Sequence, residues 1–176
     1  MFIVNKMPQS LSAESYRSIR TSIKYSSVDN PIKTIVITSS NSSEGKSTVA
    51  GNLAFSLSQN GSRTLLIDCD LRKPSVHKKF LIPNDKGLTD VLFDKQDLKE
   101  VIKKIENNLY VLPCGTIPPN PAEILGSKTM EEFLDKLSIN YDYIILDTPP
   151  VLAVTDAQLL AAKADATVLV VKANKT

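Results

Sequence analysis

Residues 40–47, Ser-Asn-Ser-Ser-Glu-Gly-Lys-Ser, followed by Thr48, hold the side chains best suited to chemistry. They lie between an apolar run, Ile35-Val36-Ile37, and a stretch from Thr48 to Ala54 that reads as helix. A helix start offers unpaired backbone N–H groups and a partial positive charge to an anion. In a strand–loop–helix setting, the Lys46 ammonium would reach the β- and γ-phosphates of a nucleotide, and the Ser47 hydroxyl would sit on Mg²⁺. On this reading Ser42, Ser43, Glu44, Gly45, Lys46, Ser47 and Thr48 form a phosphate cradle. Ser40 stands where the pattern Gly-x4-Gly-Lys-Ser has its first glycine, so the loop is expected to turn at a residue bearing a Cβ.

Carboxylates recur at the ends of two other apolar runs. Asp68 and Asp70 are two apart, which on an extended chain places both side chains on one face. Asp147 closes the run Tyr143-Ile144-Ile145-Leu146, an arrangement in which the carboxylate holds Mg²⁺ directly or through water. Acids beside a triphosphate are unfavourable without a cation. With Mg²⁺, one of the Asp68/Asp70 pair serves as a metal or metal-water ligand, and the other accepts a proton from an attacking hydroxyl. Arg72 and Lys73 either neutralise phosphate or pair with acids. Thr155-Asp156 reads as the cap of a following helix.

These groups need a scaffold with its strand ends gathered on one side. Five short, nearly continuous apolar runs, residues 34–38, 64–68, 109–113, 143–147 and 167–171, suit strands buried on both faces of a parallel sheet. Helical patterns lie between them at 46–60, 97–105, 127–138 and 156–163, with Gly61 closing the first. The alternation predicts a doubly wound α/β domain with a mainly parallel sheet over residues 31–176. The proline-rich stretch 113–121 is read either as a rigid connector or as a wall beside the nucleotide base. Before the first strand, Ser12 is expected to cap a helix from 13 to about 25. Its apolar side is Tyr16, Ile19 and Ile23, with Glu14, Arg17, Arg20 and Lys24 in an adjacent stripe. That stripe suits either solvent or a neighbouring subunit, where guanidiniums would clamp carboxylates.

At 176 residues, with 42% hydrophobic and 23% charged residues, the chain fits one soluble globular domain. A net charge of +2 is too small to argue for nucleic acid. The pairs Lys78-Lys79 and Lys103-Lys104 read as solvated surface. Cys69 and Cys114 lie far apart with no metal spacing and read as buried thiols in a reducing cytosol. His77 receives no role. No apolar run approaches the roughly 20 residues needed to span a bilayer, and the apolar start at residues 1–4 is too short for a signal peptide.

Together these residues resemble the bacterial tyrosine kinases that control capsule and exopolysaccharide synthesis, proteins of P-loop NTPase architecture. The resemblance covers nearly the whole chain. It rests on Glu14-x-x-Arg17-x-x-Arg20, residues 39–48, residues 66–74, residues 118–123, Asp147-Thr148-Pro149-Pro150 and Thr155-Asp156-Ala157. It implies ATP-dependent phosphorylation of tyrosine, with Lys46 on the β/γ-phosphates, Ser47, Asp70 and Asp147 serving Mg²⁺, and Asp68 as the base for the tyrosine hydroxyl. It further implies ring assembly through Glu14, Arg17 and Arg20 on an oligomerisation segment, residues 1–30. A membrane adaptor's cytosolic tail would activate the kinase, placing it in the cytoplasm at the inner face of the membrane. The family's tyrosine-rich tail has no counterpart among Tyr16, Tyr25, Tyr110, Tyr141 and Tyr143, which are scattered. The sequence, ending at residues 173–176, is therefore read as truncated or as lacking a substrate tail of its own. Two other readings compete with it. One is a partitioning or division-site ATPase, whose signature lysine is replaced by Asn41. The other is a nucleotide-binding adaptor with weak catalysis.

Overall fold

The computed structural model describes residues 2–26, 29–94 and 96–173; Met1 and the last three residues of the chain lie outside these. In chain order the elements are α1 (Ile3–Lys6), α2 (Leu11–Tyr25), β1 (Thr34–Ser39), α3 (Lys46–Gln59), β2 (Thr64–Asp68), α4 (Val76–Phe80), α5 (Leu88–Phe93) and α6 (Leu98–Val101). They continue with β3 (Lys103–Glu106), β4 (Leu109–Leu112), α7 (Pro121–Gly126), α8 (Lys128–Asn140), β5 (Tyr143–Asp147), α9 (Asp156–Ala161) and β6 (Ala166–Val170).

The strands form one sheet in the order β3-β4-β2-β5-β1-β6, parallel throughout except for β3, which runs antiparallel to β4. This is the doubly wound, mainly parallel architecture that the alternation predicts. Successive side chains on each central strand feed opposite faces, as the pleat requires. Val36, Leu65, Ile67, Ile144 and Leu146 pack with Leu125, Met130 and Leu134 on one side. Ile35, Ile37, Leu66 and Ile145 pack with Leu53, Ala54 and Leu57 of α3 on the other.

The structure corrects the reading of residues 97–105. Leu98, Val101, Ile102 and Ile105 have helical spacing, yet the helix ends at Val101 and β3 begins at Lys103. Val101 is buried, and Leu98 and Ile102 pack, in the core on one side of the sheet, whereas Ile105 packs into the core on the other. A single helix would have placed all four on one side, so tertiary burial overrides the local period. At the opposite edge, β6 is not buried on both faces. Its residues alternate between half-buried and exposed, with Leu169 54% exposed.

α2 also begins two residues earlier than predicted, because Ser10 rather than Ser12 caps it, accepting the Ala13 N–H at 3.2 Å. The N-terminal helices share the core of α3. Phe2 rests its ring against Phe55 and Phe80, with centroids 5.3 and 4.5 Å away. The ring lies over Gly51, where a Cβ would come within 2.0 Å of it. The Val4 N–H donates to Asn52 Oδ1 at 3.0 Å, and Asn52 Nδ2 donates to the Thr48 carbonyl at 2.9 Å. Among the described residues no helix is long and apolar enough to cross a membrane.

Candidate functional site

β1 runs into the phosphate loop, and the loop hands over to α3 at Gly45, whose φ of 100° is left-handed. Ser43 also takes a positive φ, 64°, whereas Ser40 does not. The turn expected at Ser40 is therefore made further along, by Ser43 and a glycine, and a Cβ at Ser40 meets no backbone obstacle. Glu44 folds back into the loop, where its carboxylate accepts the Asn41 N–H at 2.9 Å. It shapes the cradle and does not line the cleft. Ser42, Ser43, Gly45, Lys46, Ser47 and Thr48 do line it, around a cavity of about 440 Å³.

The three aspartates converge beneath this loop but play different parts. Asp68 and Asp147 are register partners on the adjacent strands β2 and β5, and both are fully buried. Because β2 ends at Asp68, the face-sharing alternation does not extend to Asp70. Instead Asp68 accepts three backbone N–H groups: Asp70 at 3.2 Å on Oδ1, and Ser75 and Val76 at 3.0 Å each on Oδ2. Burial pushes its carboxyl up to about 8, with the Asp147 charge adding to the rise and the Val76 and Ser75 N–H groups opposing it. Asp70 lines the cleft and is raised by burial, against the Lys73 N–H and the Lys46 charge.

Asp147 is the carboxylate of the site that the protein leaves uncompensated. Burial drives its carboxyl up to about 7, opposed by Ser47 and Lys46. The Ser47 hydroxyl is near enough to act on it but is bonded to Ser75 Oγ at 2.8 Å, and neither Asp147 oxygen has a hydrogen-bond partner among the described residues. A buried carboxylate without donors is costly unless a cation serves it. The surrounding donors are hydroxyls and carboxylates, with no imidazole and no ionised thiol, a set that fits a hard ion such as Mg²⁺. Among the described residues no cluster of three or more His, Cys, Asp or Glu could hold an ion alone. That accords with an ion which draws most of its shell from water and phosphate oxygens. Cys69 and Cys114 are free, buried thiols, with the Cys114 thiol pushed up to about 12 by burial first and by neighbouring acids second.

Two basic residues lie where the sequence left them undecided or misplaced. Arg72 lines the cleft and forms a bidentate pair with the fully buried Asp156, Nε to Oδ2 and Nη2 to Oδ1, both at 3.0 Å. Thr155 is the N-cap of α9 but makes no side-chain cap bond, so Asp156 serves Arg72 instead of the helix end. Lys79, read as surface, points into the cleft and donates to Thr48 Oγ1 at 3.1 Å. Its direction depends on α4, a five-residue helix too short to announce itself by periodicity. Lys73 also lines the cleft, as do Ser75, Pro149, Pro150, Ala153 and Val154, which were unassigned from sequence.

Residues 113–121 contribute nothing to the cleft lining. They are clamped instead. Asp90 accepts the Gly87 and Thr116 N–H groups and the Thr116 hydroxyl, and Thr89 donates to the Thr116 carbonyl at 2.7 Å. The connector reading of this loop is the one that the geometry matches. Arg20, placed in the outward stripe, is engaged within the chain: its Nη1 donates to the Ser56 carbonyl of α3 at 2.8 Å. Arg17 pairs with Glu14 at 2.6 Å and also reaches the Pro8 carbonyl.

A lysine-bearing loop between the first strand and its helix, with an acid closing β5 in the middle of a parallel sheet, defines a P-loop nucleotide-binding protein. An AAA domain family model matches residues 32–176. Tyrosine-protein kinase YwqD of Bacillus subtilis is 50% identical over 170 residues, covering 96% of this chain and 72% of the relative. The crystal structure of the chimerical protein CapA2B2 superposes with a TM-score of 0.92 at 41% identity, covering 96% of this chain and 74% of that one. The kinase domain of the Escherichia coli tyrosine kinase ETK gives 0.90 at 32% identity, covering 97% and 67%. The chain belongs to the bacterial tyrosine kinase family. The septum site-determining protein MinD of Pyrococcus horikoshii, complexed with Mg-ADP, is a more distant likeness, with a TM-score of 0.66 at 26% identity over 78% of this chain and 57% of that one.

Proposed function

We propose that this chain transfers the γ-phosphate of ATP, bound with Mg²⁺, to tyrosine hydroxyls of proteins, in the control of capsular or exopolysaccharide synthesis. The observation that carries this reading is the buried, unpartnered Asp147 carboxylate beside Ser47 and Lys46, in a chain half identical to a tyrosine-protein kinase. Lys46 holds the β- and γ-phosphates, while Ser42, Ser43, Gly45 and Thr48 line the phosphate cradle. Ser47, Asp70 and Asp147 would hold the cation, which would neutralise charge on the phosphate oxygens.

In the transfer, the tyrosine oxygen bonds to the γ-phosphorus as the bond to the β–γ bridging oxygen breaks, and ADP leaves. The phenolic proton passes to a carboxylate. Asp68 is assigned that role by the family resemblance; burial raises its carboxyl, and a bound cation would lower it towards the ionised form that accepts a proton. Among the described residues its Oδ1 accepts one backbone N–H and keeps a lone pair, while Oδ2, holding the Ser75 and Val76 N–H groups, anchors α4 beside the loop. Positioning and charge neutralisation supply most of the acceleration in phosphoryl transfer.

Residues 1–30 form the oligomerisation segment of a ring in this reading, with 31–176 as the kinase domain. Glu14, 67% exposed at its side chain, faces outward, Arg17 is held between it and the Pro8 carbonyl, and Arg20 braces the helix behind them through Ser56. A membrane adaptor's cytosolic tail recruits and activates the assembly at the inner face of the membrane. The direct test is transfer of labelled γ-phosphate to tyrosine, on the protein itself or on a full-length relative. Activity should vanish in Lys46→Met and Asp68→Asn. ATP hydrolysis with no phosphotyrosine, with or without an adaptor tail, would refute the kinase reading.

A further inference from the structure

We propose that Lys79 is a second phosphate-binding lysine, delivered in cis by α4 to the nucleotide's phosphate chain. The proposal rests on nucleotide binding in the cleft described above and is independent of tyrosine as the acceptor.

The segment that carries Lys79 is pinned at both ends. At its start, Asp68 Oδ2 accepts the Ser75 and Val76 N–H groups at 3.0 Å each, and the Val76 side chain is fully buried. At its end, the Phe80 ring stacks on Phe55 with an interplanar angle of 13° and centroids 5.8 Å apart, and leans on Phe2. Between these anchors the Lys79 stem runs across the first turn of α3. Its ammonium reaches Thr48 Oγ1, two residues beyond Lys46, and lines the same cleft.

Its only hydrogen-bond partner among the described residues is that neutral hydroxyl, and no carboxylate lies within ion-pairing distance of it. An ordered ammonium held only by a neutral hydroxyl keeps its charge uncompensated. The imbalance is removed when an anion enters. A phosphate chain brings several negative charges to a loop whose first cation, Lys46, likewise has no ion pair among the described residues. Lys78 is the natural comparison. It carries the same charge one residue earlier, is exposed, and does not line the cleft.

The test is a fluorescence titration of the purified full chain with mant-ADP in the presence of Mg²⁺, comparing wild type with Lys79→Gln, Lys79→Arg and Lys78→Gln. Each glutamine variant removes one positive charge, so a general electrostatic effect would weaken binding equally. Lys79→Gln should raise Kd about tenfold or more, the range of a lost charge-assisted hydrogen bond. Lys78→Gln should stay within about twofold, and Lys79→Arg should recover most of the loss. The dependence of log Kd on log salt should also be shallower in Lys79→Gln. Equal shifts in the two glutamine variants, no shift in either, or equal loss in Lys79→Gln and Lys79→Arg would each overturn the assignment. Apo melting curves exclude misfolding, because a phosphate contact predicts unchanged melting without nucleotide. Phosphotyrosine is not read in this titration, so a failed kinase reading leaves its outcome untouched.

Discussion

Asp147→Asn should make the nucleotide-free protein more stable at pH 8 while removing its response to Mg²⁺ with nucleotide. The wild-type carboxyl is fully buried, lacks hydrogen-bond partners among the described residues, and is pushed by burial to about 7 from an ordinary 3.8. Between those two values the native state keeps its proton and the unfolded chain has released it. Stability contributed by this group therefore falls as pH rises, by about 1.4 kcal/mol per pH unit, and the fall is complete just above the native value. Across the window the loss reaches at most about 4 kcal/mol. Asparagine carries no charge at any pH, but it brings N–H donors into a crowded site, and an unmet donor costs about 1–3 kcal/mol. The net expectation is a gain of about 1–3 kcal/mol at pH 8 that shrinks towards zero or below by pH 4.5. Urea unfolding in EDTA at several pH values measures it. Adding Mg²⁺ and ADP should then stabilise the wild type by mass action and leave the variant where it was. A difference between the two proteins that stays constant from pH 5 to 8, or a variant less stable at pH 8 in EDTA, would refute the reasoning.

Arg72→Ala removes the half-exposed partner of the buried Asp156 and should cost about 1–3 kcal/mol in urea unfolding, less than a fully buried pair because water reaches the guanidinium; Arg72→Lys should recover less than half, since one ammonium cannot span both carboxylate oxygens as the guanidinium fork does. Gly51→Ala puts a Cβ 2.0 Å from the Phe2 ring; a lowered melting temperature is expected, with a smaller penalty when Phe2 is also truncated to Ala. Arg20→Ala removes the bond to the Ser56 carbonyl and should cost about 1 kcal/mol of stability. If α2 also holds a ring, light scattering should show a smaller assembly in that variant, and an unchanged assembly would dismiss Arg20 from the interface.

The legible parts of this molecule are those whose physics is local. Buried parallel strands announce themselves as continuous apolar runs, so all five predicted strands lie within one residue of observed ones, and the phosphate loop lies between the expected strand and helix. Residues 97–105 have the spacing of a helix, while their burial is divided between two cores. The order within the acidic cluster was also hidden. Asp68 and Asp70 look equivalent in sequence, yet the strand ends between them, and only the three backbone donors on Asp68 separate their roles. Arg72 and Asp156 are 84 positions apart, so nothing local could have joined them. Lys79 was hidden for a further reason: its direction is set by Phe2 and Phe55, one far upstream in α1's approach and the other on α3.

Asn52 bridges the Val4 N–H and the Thr48 carbonyl, and this makes α1 and the first turn of α3 a single cooperative unit. Opening one exposes a donor or acceptor belonging to the other. Occupancy of the phosphate loop should therefore be felt at Val4, as slower exchange of its amide hydrogen with deuterium. By the same linkage, anything that grips α1 adjusts nucleotide affinity without approaching the cleft. A signal arriving at the N-terminal segment would need no moving domain to reach the loop; it would travel through one amide side chain.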